Sequence, residues 1–213
     1  GGGGNETVFC MNNGSFRQAD AAYWYQIIRL LKPGKIIEIG SGNSTLMARK
    51  AIDKNSEEGF RCEHILIEPY EMPWLESLNI PVMRQKVEDV GIEFFSRLEK
   101  NDILFIDSSH VIRPDGDVAF EYLELLPLLN CGVVVHVHDI CSPRIYKREW
   151  LIDDVRFWNE QYLLEAFLSH NQDWEIMGAL NYLYHHHFAR LKTVAPFLNL
   201  DHEPVSFYMR KLR

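Results

Sequence analysis

Two aspartates and two histidines stand where apolar runs of the chain end. Asp107 follows one run that is typical of a strand, and Asp139 follows another, directly after His138. If the two strands are neighbours, which lie roughly 5 Å apart in a sheet, both carboxylates could reach one hard divalent ion such as Mg²⁺. His110, three residues after Asp107, is the candidate base for a hydroxyl proton, and His138 is an alternative base or ligand. The alternative for His110 is a helix-capping or surface histidine, and the alternative for His138 is a core histidine.

A glycine-containing loop is the candidate cofactor site. Its sequence is Glu38-Ile39-Gly40-Ser41-Gly42-Asn43-Ser44-Thr45. Glycine lets the backbone turn tightly and approach a ligand closely, but a dinucleotide fingerprint would have a third glycine where Thr45 stands. Glu68, after the next apolar run, is suited to accept hydrogen bonds from the vicinal hydroxyls of a ribose. Glu38 places negative charge near the loop, which favours a cationic ligand over a phosphate.

Strand-like and helix-like patterns alternate along the chain, and they must position these residues. Strands are predicted at 35–39, 64–67, 82–85, 102–106, 132–137, 174–177 and 205–210. Helices are predicted at 17–32, 44–54, 74–79, 90–98, 118–129 and 152–169. Near-continuous apolar strands between helices predict a parallel sheet that is covered on both faces, with the ligand at the carboxyl ends of the strands. The last two strands, joined by a long connection, predict a hairpin-like pair at one edge.

Length and composition exclude several classes of protein. The chain has 213 residues and a formal net charge of −8, and it lacks the clustered Lys and Arg that phosphate backbones require, so no nucleic-acid partner is expected. Four cysteines without CxxC spacing indicate free thiols, and no apolar run is long enough for a membrane span. We therefore expect a cytoplasmic protein. Gly1–Gly4 is interpreted as a cloning scar, and residues 5–213 are predicted to form a single domain.

The order of several short segments resembles a known family. These segments are Glu38–Gly42, Ile67–Pro69, Val87–Val90, Phe105–His110, Leu126–Leu128, Val137–Ile140, Trp158–Leu163 and Ser206–Tyr208. Together they resemble class I S-adenosylmethionine (SAM)-dependent methyltransferases, in particular the small-molecule and sugar O-methyltransferase branch called methyltransferase family 24. The resemblance implies a Rossmann-like α/β fold: a seven-stranded, mostly parallel sheet with helices on both faces and an antiparallel last strand.

The same resemblance implies roles for individual residues. The residues expected to contact SAM are Glu38, Gly40, Ser41, Gly42, Ser44, Glu68, Glu88 and Asp107. Asp107, with Asp139, is expected to hold a metal ion such as Mg²⁺, and His110 to take the proton of the acceptor hydroxyl, with His138 as the other catalytic candidate. Members of the family often have two adjacent acids at the end of strand five, whereas this chain has His138-Asp139, so no third carboxylate ligand is identified.

The expected activity is O-methylation of a sugar or another small hydroxylated acceptor, assisted by a metal. Three alternatives stay open: N- or C-methyl or aminopropyl transfer from SAM, an inactive SAM-binding scaffold, and a nicotinamide-dependent oxidoreductase, which the missing third glycine disfavours. The expected partner is a small-molecule acceptor, and the sequence is also compatible with a homo-oligomer. Trp150, Trp158 and Tyr162 are expected to pack in the core or to stack on a sugar. Tyr146 and Arg144, in the loop after the fifth strand, are candidate contacts of the acceptor. The run His185-His186-His187 is expected to be solvent-exposed rather than a metal site.

Overall fold

The computed structural model describes residues 7–11 and 13–213, and the Gly1–Gly4 segment lies outside them. The strands are β1 Lys35–Ile39, β2 Glu63–Ile67, β3 Val82–Met83, β4 Ile103–Ile106, β5 Val134–Val137, β6 Trp174–Ala179 and β7 Phe207–Lys211. The α-helices are α1 Gln18–Leu31, α2 Asn43–Glu57, α3 Pro73–Glu76, α4 Asp117–Phe120, α5 Leu126–Leu128, α6 Glu160–Leu168, α7 Leu180–His186 and α8 Phe188–Val194. Within this described part, no helix is both long and apolar enough to cross a bilayer.

The strands form one seven-stranded sheet in the order β3-β2-β1-β4-β5-β7-β6. The first five strands in this order are parallel to their neighbours, and β7 is antiparallel to both β5 and β6. The predicted mostly parallel, Rossmann-like sheet is therefore confirmed, with β7 inserted between β5 and the edge strand β6. The order reverses at β1 and β4, and such a switch point opens a crevice at the carboxyl ends of the strands.

Alternate side chains of each strand enter two separate cores, one on each face of the sheet. In β4, Leu104 and Ile106 belong to the core that α6 covers, while Ile103 and Phe105 belong to the core under α1 and α2. All four side chains are buried. Because helices cover both faces of the sheet, the ends of its strands are the parts that approach solvent. Polar residues that follow the strands reach the surface there.

Three segments differ from the helices predicted from sequence. The segment predicted as helix 90–98 forms short 3₁₀ turns at Val87–Asp89 and Ile92–Arg97, because Gly91 between them has an extended backbone. The predicted helix 152–169 begins only at Glu160, after a π turn at Glu149–Asp153. The long connection before the last strand contains α7 and α8, which the sequence pattern did not predict.

The segment predicted as helix 118–129 is helical, but its hydrogen-bond pattern changes along its length. It comprises α4, a π-helical turn at Glu121–Leu125 and the short α5. Inserted π turns are common near functional sites because they rotate side chains out of the α-helical register. Here the π turn contains Tyr122, whose hydroxyl reaches the candidate site.

Candidate functional site

The polar residues after four parallel strands line up along one edge of the sheet. Backbone hydrogen bonds continue the ladder past the strands: the amide of Asp107 donates to Ile39 at 2.9 Å, and the amide of His138 donates to Ile106 at 2.9 Å. The amide of Gly40 likewise donates to the carbonyl of Ile67 at 3.0 Å. This register brings the glycine loop and the predicted acids to the same crevice, as the sequence pattern indicates.

Gly40 allows the loop to pass against the end of β4. Its φ is +82°, and a Cβ built there would lie 2.1 Å from the carbonyl oxygen of Asp107. Any larger residue would therefore push the loop away from Asp107 and also strain the backbone. The loop therefore packs directly against the backbone of Asp107.

Beneath the loop lies a buried hydrogen-bond network around Glu38. Its carboxylate accepts from the hydroxyls of Thr45 at 2.8 Å and Ser44 at 3.3 Å, and its other oxygen lies 2.7 Å from Nε2 of His64. Glu38 and Ser44 thus stand under the loop rather than in the wall of the adjacent cavity. Gly42 does not line that cavity either, and its amide donates to Thr45 at 3.2 Å. Glu38 and Ser44 therefore support the loop from below, and Gly42 is part of the loop but does not face the cavity.

The cavity beside the loop has a volume of about 320 Å³. Apolar side chains form much of its wall, and predicted cofactor residues Gly40, Glu68, Glu88 and Asp107 line it too. Each carboxylate oxygen of Glu68 already accepts one hydrogen bond, from the Ser41 hydroxyl and from the amide of Tyr70, both at 3.0 Å. A carboxylate has about four acceptor positions, so Glu68 retains capacity for a diol.

Negative side chains outnumber positive ones in this wall. The acids are Glu68, Glu88, Asp107 and Asp117, and the bases are Lys86 and Arg113. Arg113 lies between two of the acids, 3.9 Å from Glu88 and 3.5 Å from Asp117. An adenosine group fits the apolar surface and Glu68, and the cationic sulfonium and ammonium groups of SAM fit the excess of acids.

Next to this cavity, Asp107, His110 and Asp139 converge. The Nε2 atom of His110 lies 3.2 Å from Oδ1 of Asp107 and 3.5 Å from Oδ2 of Asp139. One ligand atom from each of the three residues lies within 4.8 Å of the others. No other group of three such side chains converges among residues 7–11 and 13–213.

The opposite nitrogen of His110 is held by Glu160, at the start of α6. Nδ1 lies 2.7 Å from Oε2 of Glu160, and the other oxygen of Glu160 accepts the hydroxyl of Tyr122 at 2.9 Å. Glu160 is fully buried. This contact fixes the ring and makes Nε2 the nitrogen that faces the two aspartates. Sequence reasoning missed Glu160, because fifty positions separate it from His110 and no spacing signal links them.

His138 completes the wall behind the aspartates. It is buried, and its Nδ1 lies 3.6 Å from both Asp107 and Asp139. Neither ring nitrogen of His138 has a hydrogen-bond partner among the described residues. An unpartnered buried imidazole beside two carboxylates matches either alternative that the sequence left open, base or ligand.

The charges of this group are coupled. Burial opposes the ionisation of Asp107, yet His138 and His110 hold the pKa of Asp107 well below its usual range. Burial also lowers the pKa of each histidine, but the neighbouring carboxylates prevail: the pKa of His110 lies well above its usual value, and that of His138 rises to about 9. A cation that used His110 would therefore have to displace a proton.

The donor set fits a divalent cation. Two carboxylates from adjacent strand ends provide hard oxygen ligands, which Mg²⁺ and Mn²⁺ both accept. The imidazole of His110 would add a nitrogen ligand, which Mn²⁺ tolerates better than Mg²⁺. Asp107 and Asp139 are thus the residues that would hold the ion, and His110 is either a third ligand or the adjacent base.

Aromatic residues predicted as candidate acceptor contacts cluster around this group. The ring of Trp158 lies 4.4 Å from that of His110 and 5.1 Å from that of Trp150. Tyr146 is buried, and its hydroxyl accepts the amide of Gln161 at 3.1 Å. Tyr162 packs against Tyr146 with its ring partly exposed. Trp158 therefore both packs and borders the site.

Two other predicted features lie away from this group. Arg144 is exposed and accepts a hydrogen bond from Gln161 through its carbonyl, at 2.9 Å. In the histidine run, His185 lies 3.2 Å from Glu203, and His186 and His187 are exposed.

Comparison with known proteins agrees with this geometry. Residues 37–140 match the profile of a family described as "Methyltransferase domain", Methyltransf_24. An uncharacterized protein of Archaeoglobus fulgidus is 36% identical over 101 residues. That match covers 45% of this chain and 45% of the relative, so the chain spans less than half the length of that relative.

Several solved structures share the fold at low sequence identity. An O-methyltransferase from Bacillus cereus in complex with S-adenosylhomocysteine (SAH) aligns with 96% of this chain and 84% of its own, at 14% identity and a TM-score of 0.52. The O-methyltransferase TomG from Streptomyces achromogenes, in complex with SAM, aligns with 90% and 78%, at 15% identity and a TM-score of 0.52. The plantazolicin methyltransferase BpumL, in complex with SAH, aligns with 92% and 83%, at 14% identity and a TM-score of 0.53.

Proposed function

We propose that this chain, which matches the methyltransferase family 24 profile over residues 37–140, methylates a hydroxyl oxygen of a small acceptor, using SAM. One observation supports this more than any other. His110 lies between Asp107, which lines the 320 Å³ cavity, and Asp139, which lines a second cavity. A methyl donor in one cavity and an acceptor in the other would therefore meet at this imidazole.

In the first cavity, the chain's own residues would orient the cofactor. Glu68 would accept the two ribose hydroxyls, and Glu88, which lines the same cavity, stands at the position where the family has its adenine-side acid. When bound, SAM supplies an electrophilic methyl group on a cationic sulfur. Asp107, beside the loop, would favour that positive charge in the ground state.

At the junction, the acceptor hydroxyl would lie between the two aspartates. A divalent ion held by Asp107 and Asp139 would lower the pKa of that hydroxyl. Such an ion would also offset the charge of Asp107, which raises the pKa of His110, so that a neutral His110 could take the proton at Nε2 while Glu160 holds the ring through Nδ1. The oxygen–methyl bond forms as the sulfur–methyl bond breaks, the proton passes to His110, and SAH leaves. Holding these atoms in line would account for much of the acceleration.

The test is transfer from SAM with a labelled methyl group to a panel of sugars and other small hydroxylated molecules, in Mg²⁺ and in Mn²⁺. We expect SAH formation and a labelled acceptor, with the rate reduced at least about 100-fold in Asp139→Asn. Asp53→Asn is the matched control, because Asp53 is exposed on α2 and paired with Arg49. Label on nitrogen or carbon would indicate the alternative transfers. SAM binding without transfer to any acceptor would favour the scaffold.

A further inference from the structure

The second cavity, which Asp139 lines, has a volume of about 540 Å³ and a mostly polar wall. It lies between the segment before α1, the π turn at Glu149–Asp153 and the segment before β7. Its size suits a monosaccharide or a molecule of similar bulk. Because Asp139 lines this cavity, an acceptor bound in it would adjoin the Asp107–His110–Asp139 group.

Two positive side chains in this wall form no close ion pair, although the charge of Lys147 acts on Glu203 across the cavity. Arg17 and Lys147 are both half-buried, and neither forms an ion pair with any residue of the described chain. The Nε atom of Arg17 is buried and has no hydrogen-bond partner among the described residues, although Nη2 donates to the carbonyl of Gly14 at 3.3 Å. Cations in such a position normally find an anion, and an unpaired donor costs stability.

Indole rings hold two of the cavity's cations in place. Nζ of Lys147 lies 4.7 Å from the ring centre of Trp150, and Cζ of Arg156 lies 4.5 Å from that of Trp158. Such contacts orient long side chains that would otherwise move freely. Trp158 also touches His110, so the cationic wall is continuous with the candidate base.

The acids in the same wall are placed differently. Glu149 and Asp201 are exposed, at the rim. Glu203 is already occupied by Asn181 and His185, both at 3.2 Å. Asp139 faces His110. The half-buried acids Asp139 and Glu203 thus contact other residues, whereas Arg17 and Lys147 are the half-buried charges without a close ion pair.

His202 lies in the same wall, and the nearby positive charges affect its pKa. Burial is the main cause that lowers the pKa of His202, and the charges of Arg17 and Lys147 lower it further, to about 4. The ring is therefore neutral at physiological pH, so that it offers one donor and one acceptor to a hydroxylated ligand.

We propose that the acceptor is an anionic hydroxylated molecule, bound through a phosphate, sulfate or carboxylate group on Arg17 and Lys147. Its hydroxyl would then extend towards Asp139 and His110, where the proposed methyl transfer occurs. This proposal deepens the proposed function and rests on it. Charge-assisted hydrogen bonds from a guanidinium and an ammonium group are among the stronger means of fixing such a ligand.

The experiment is isothermal titration of SAH-saturated protein with three probes: glucose, its phosphate ester, and glucuronic acid. We expect the two anionic probes to bind at least about tenfold more tightly than glucose, with affinity that weakens as salt is added. Arg17→Gln and Lys147→Met should each reduce the affinity for the anionic probes about tenfold and leave that for glucose unchanged. Arg17 and Lys147 lie on separate segments of the chain, so Lys147→Met keeps the test informative if Arg17→Gln misfolds.

Arg61→Gln and Lys50→Met are the matched controls, because both residues are exposed and outside the cavity. Equal affinity for the charged and neutral probes, no binding of either anionic probe, or unchanged affinities in both cavity variants would each overturn the proposal. Failure of the protein to bind SAH would contradict the proposed function but not the anion site. The anion site would stand if the phosphate ester still bound and Lys147→Met weakened that binding.

Discussion

Nδ1 of His110 lies 2.7 Å from Oε2 of Glu160, although fifty positions separate the two residues in the chain. Backbone hydrogen bonds join the same two segments: the amides of Asn159 and Glu160 both donate to the carbonyl of His110, at 2.9 and 3.2 Å. The loop after β4 and the first turn of α6 are therefore locked together. His110 itself has a φ of +60°, a strained conformation for a non-glycine residue that this locking maintains.

Glu160→Gln should lower kcat about 10- to 100-fold, because the amide no longer favours the ring orientation that directs Nε2 at the aspartates. The KM for SAM should stay unchanged, since Glu160 does not line the cofactor cavity. Steady-state kinetics with the acceptor found in the transfer assay would measure both values. Glu165→Gln, an exposed acid on the same helix, is the control. Equal losses in both variants would contradict a positioning role for Glu160.

Asp107→Asn and Asp139→Asn should each weaken binding of Mn²⁺ at least about tenfold, because each removes a charged ligand. Electron paramagnetic resonance of free Mn²⁺ measures that affinity without requiring activity. Mn²⁺ should bind more tightly than Mg²⁺ if the imidazole of His110 is a ligand, and His110→Ala should then abolish the preference. Asp53→Asn should behave as the unmodified protein does. Mn²⁺ affinity that both aspartate variants retain would exclude this cation site.

Gly40→Ala should destabilise the protein by roughly 2–4 kcal/mol, since the new Cβ meets the carbonyl of Asp107 and the backbone has a positive φ. Gly42→Ala is the control for stability, because a Cβ there meets nothing within 4 Å and the backbone is extended. Its free energy of unfolding should change by less than about 1 kcal/mol. Urea unfolding measures both, and equal losses would refute the close approach of the loop to Asp107.

His202 should make stability fall in mild acid. Its folded pKa of about 4 lies below the ordinary 6.5, so the unfolded chain binds the proton more readily between these values. The free energy of unfolding should therefore decrease as the pH falls from 6.5 towards 4, and decrease less in His202→Gln. Urea unfolding across this range, compared between the two proteins, isolates the contribution of His202. Parallel curves would show that the residue does not titrate as described.

The strands and the acids after them were predictable from sequence, because parallel strands covered on both faces are almost wholly apolar and end abruptly at polar residues. The same pattern placed Asp107 and Asp139 at strand ends, and the family resemblance implied that these two strands are adjacent, as β4 and β5 are. Helices were less predictable where tertiary contacts determine their ends. Helix α6 begins late because its first amides bind His110, a contact that local sequence does not encode.

The side chains that contact the predicted site residues could not be predicted from the sequence either. The position of Glu38 predicted a carboxylate that faces the cofactor. In the structure this carboxylate instead contacts the side chains of Thr45, Ser44 and His64. Arg17 and Lys147 come from distant segments that meet only at the second cavity. Such groupings depend on how loops pack, and residue spacing along one chain does not reveal them.

The most direct test of the central claim is isothermal titration of SAH into the protein and into Glu68→Ala, with Glu71→Ala, an exposed neighbouring acid outside the cofactor cavity, as the control. We predict micromolar binding, weakened at least about tenfold by Glu68→Ala alone, because the ribose loses its carboxylate acceptor. A folded protein that binds no SAH, or that binds it equally well without Glu68, would contradict the assignment of this cavity to SAM.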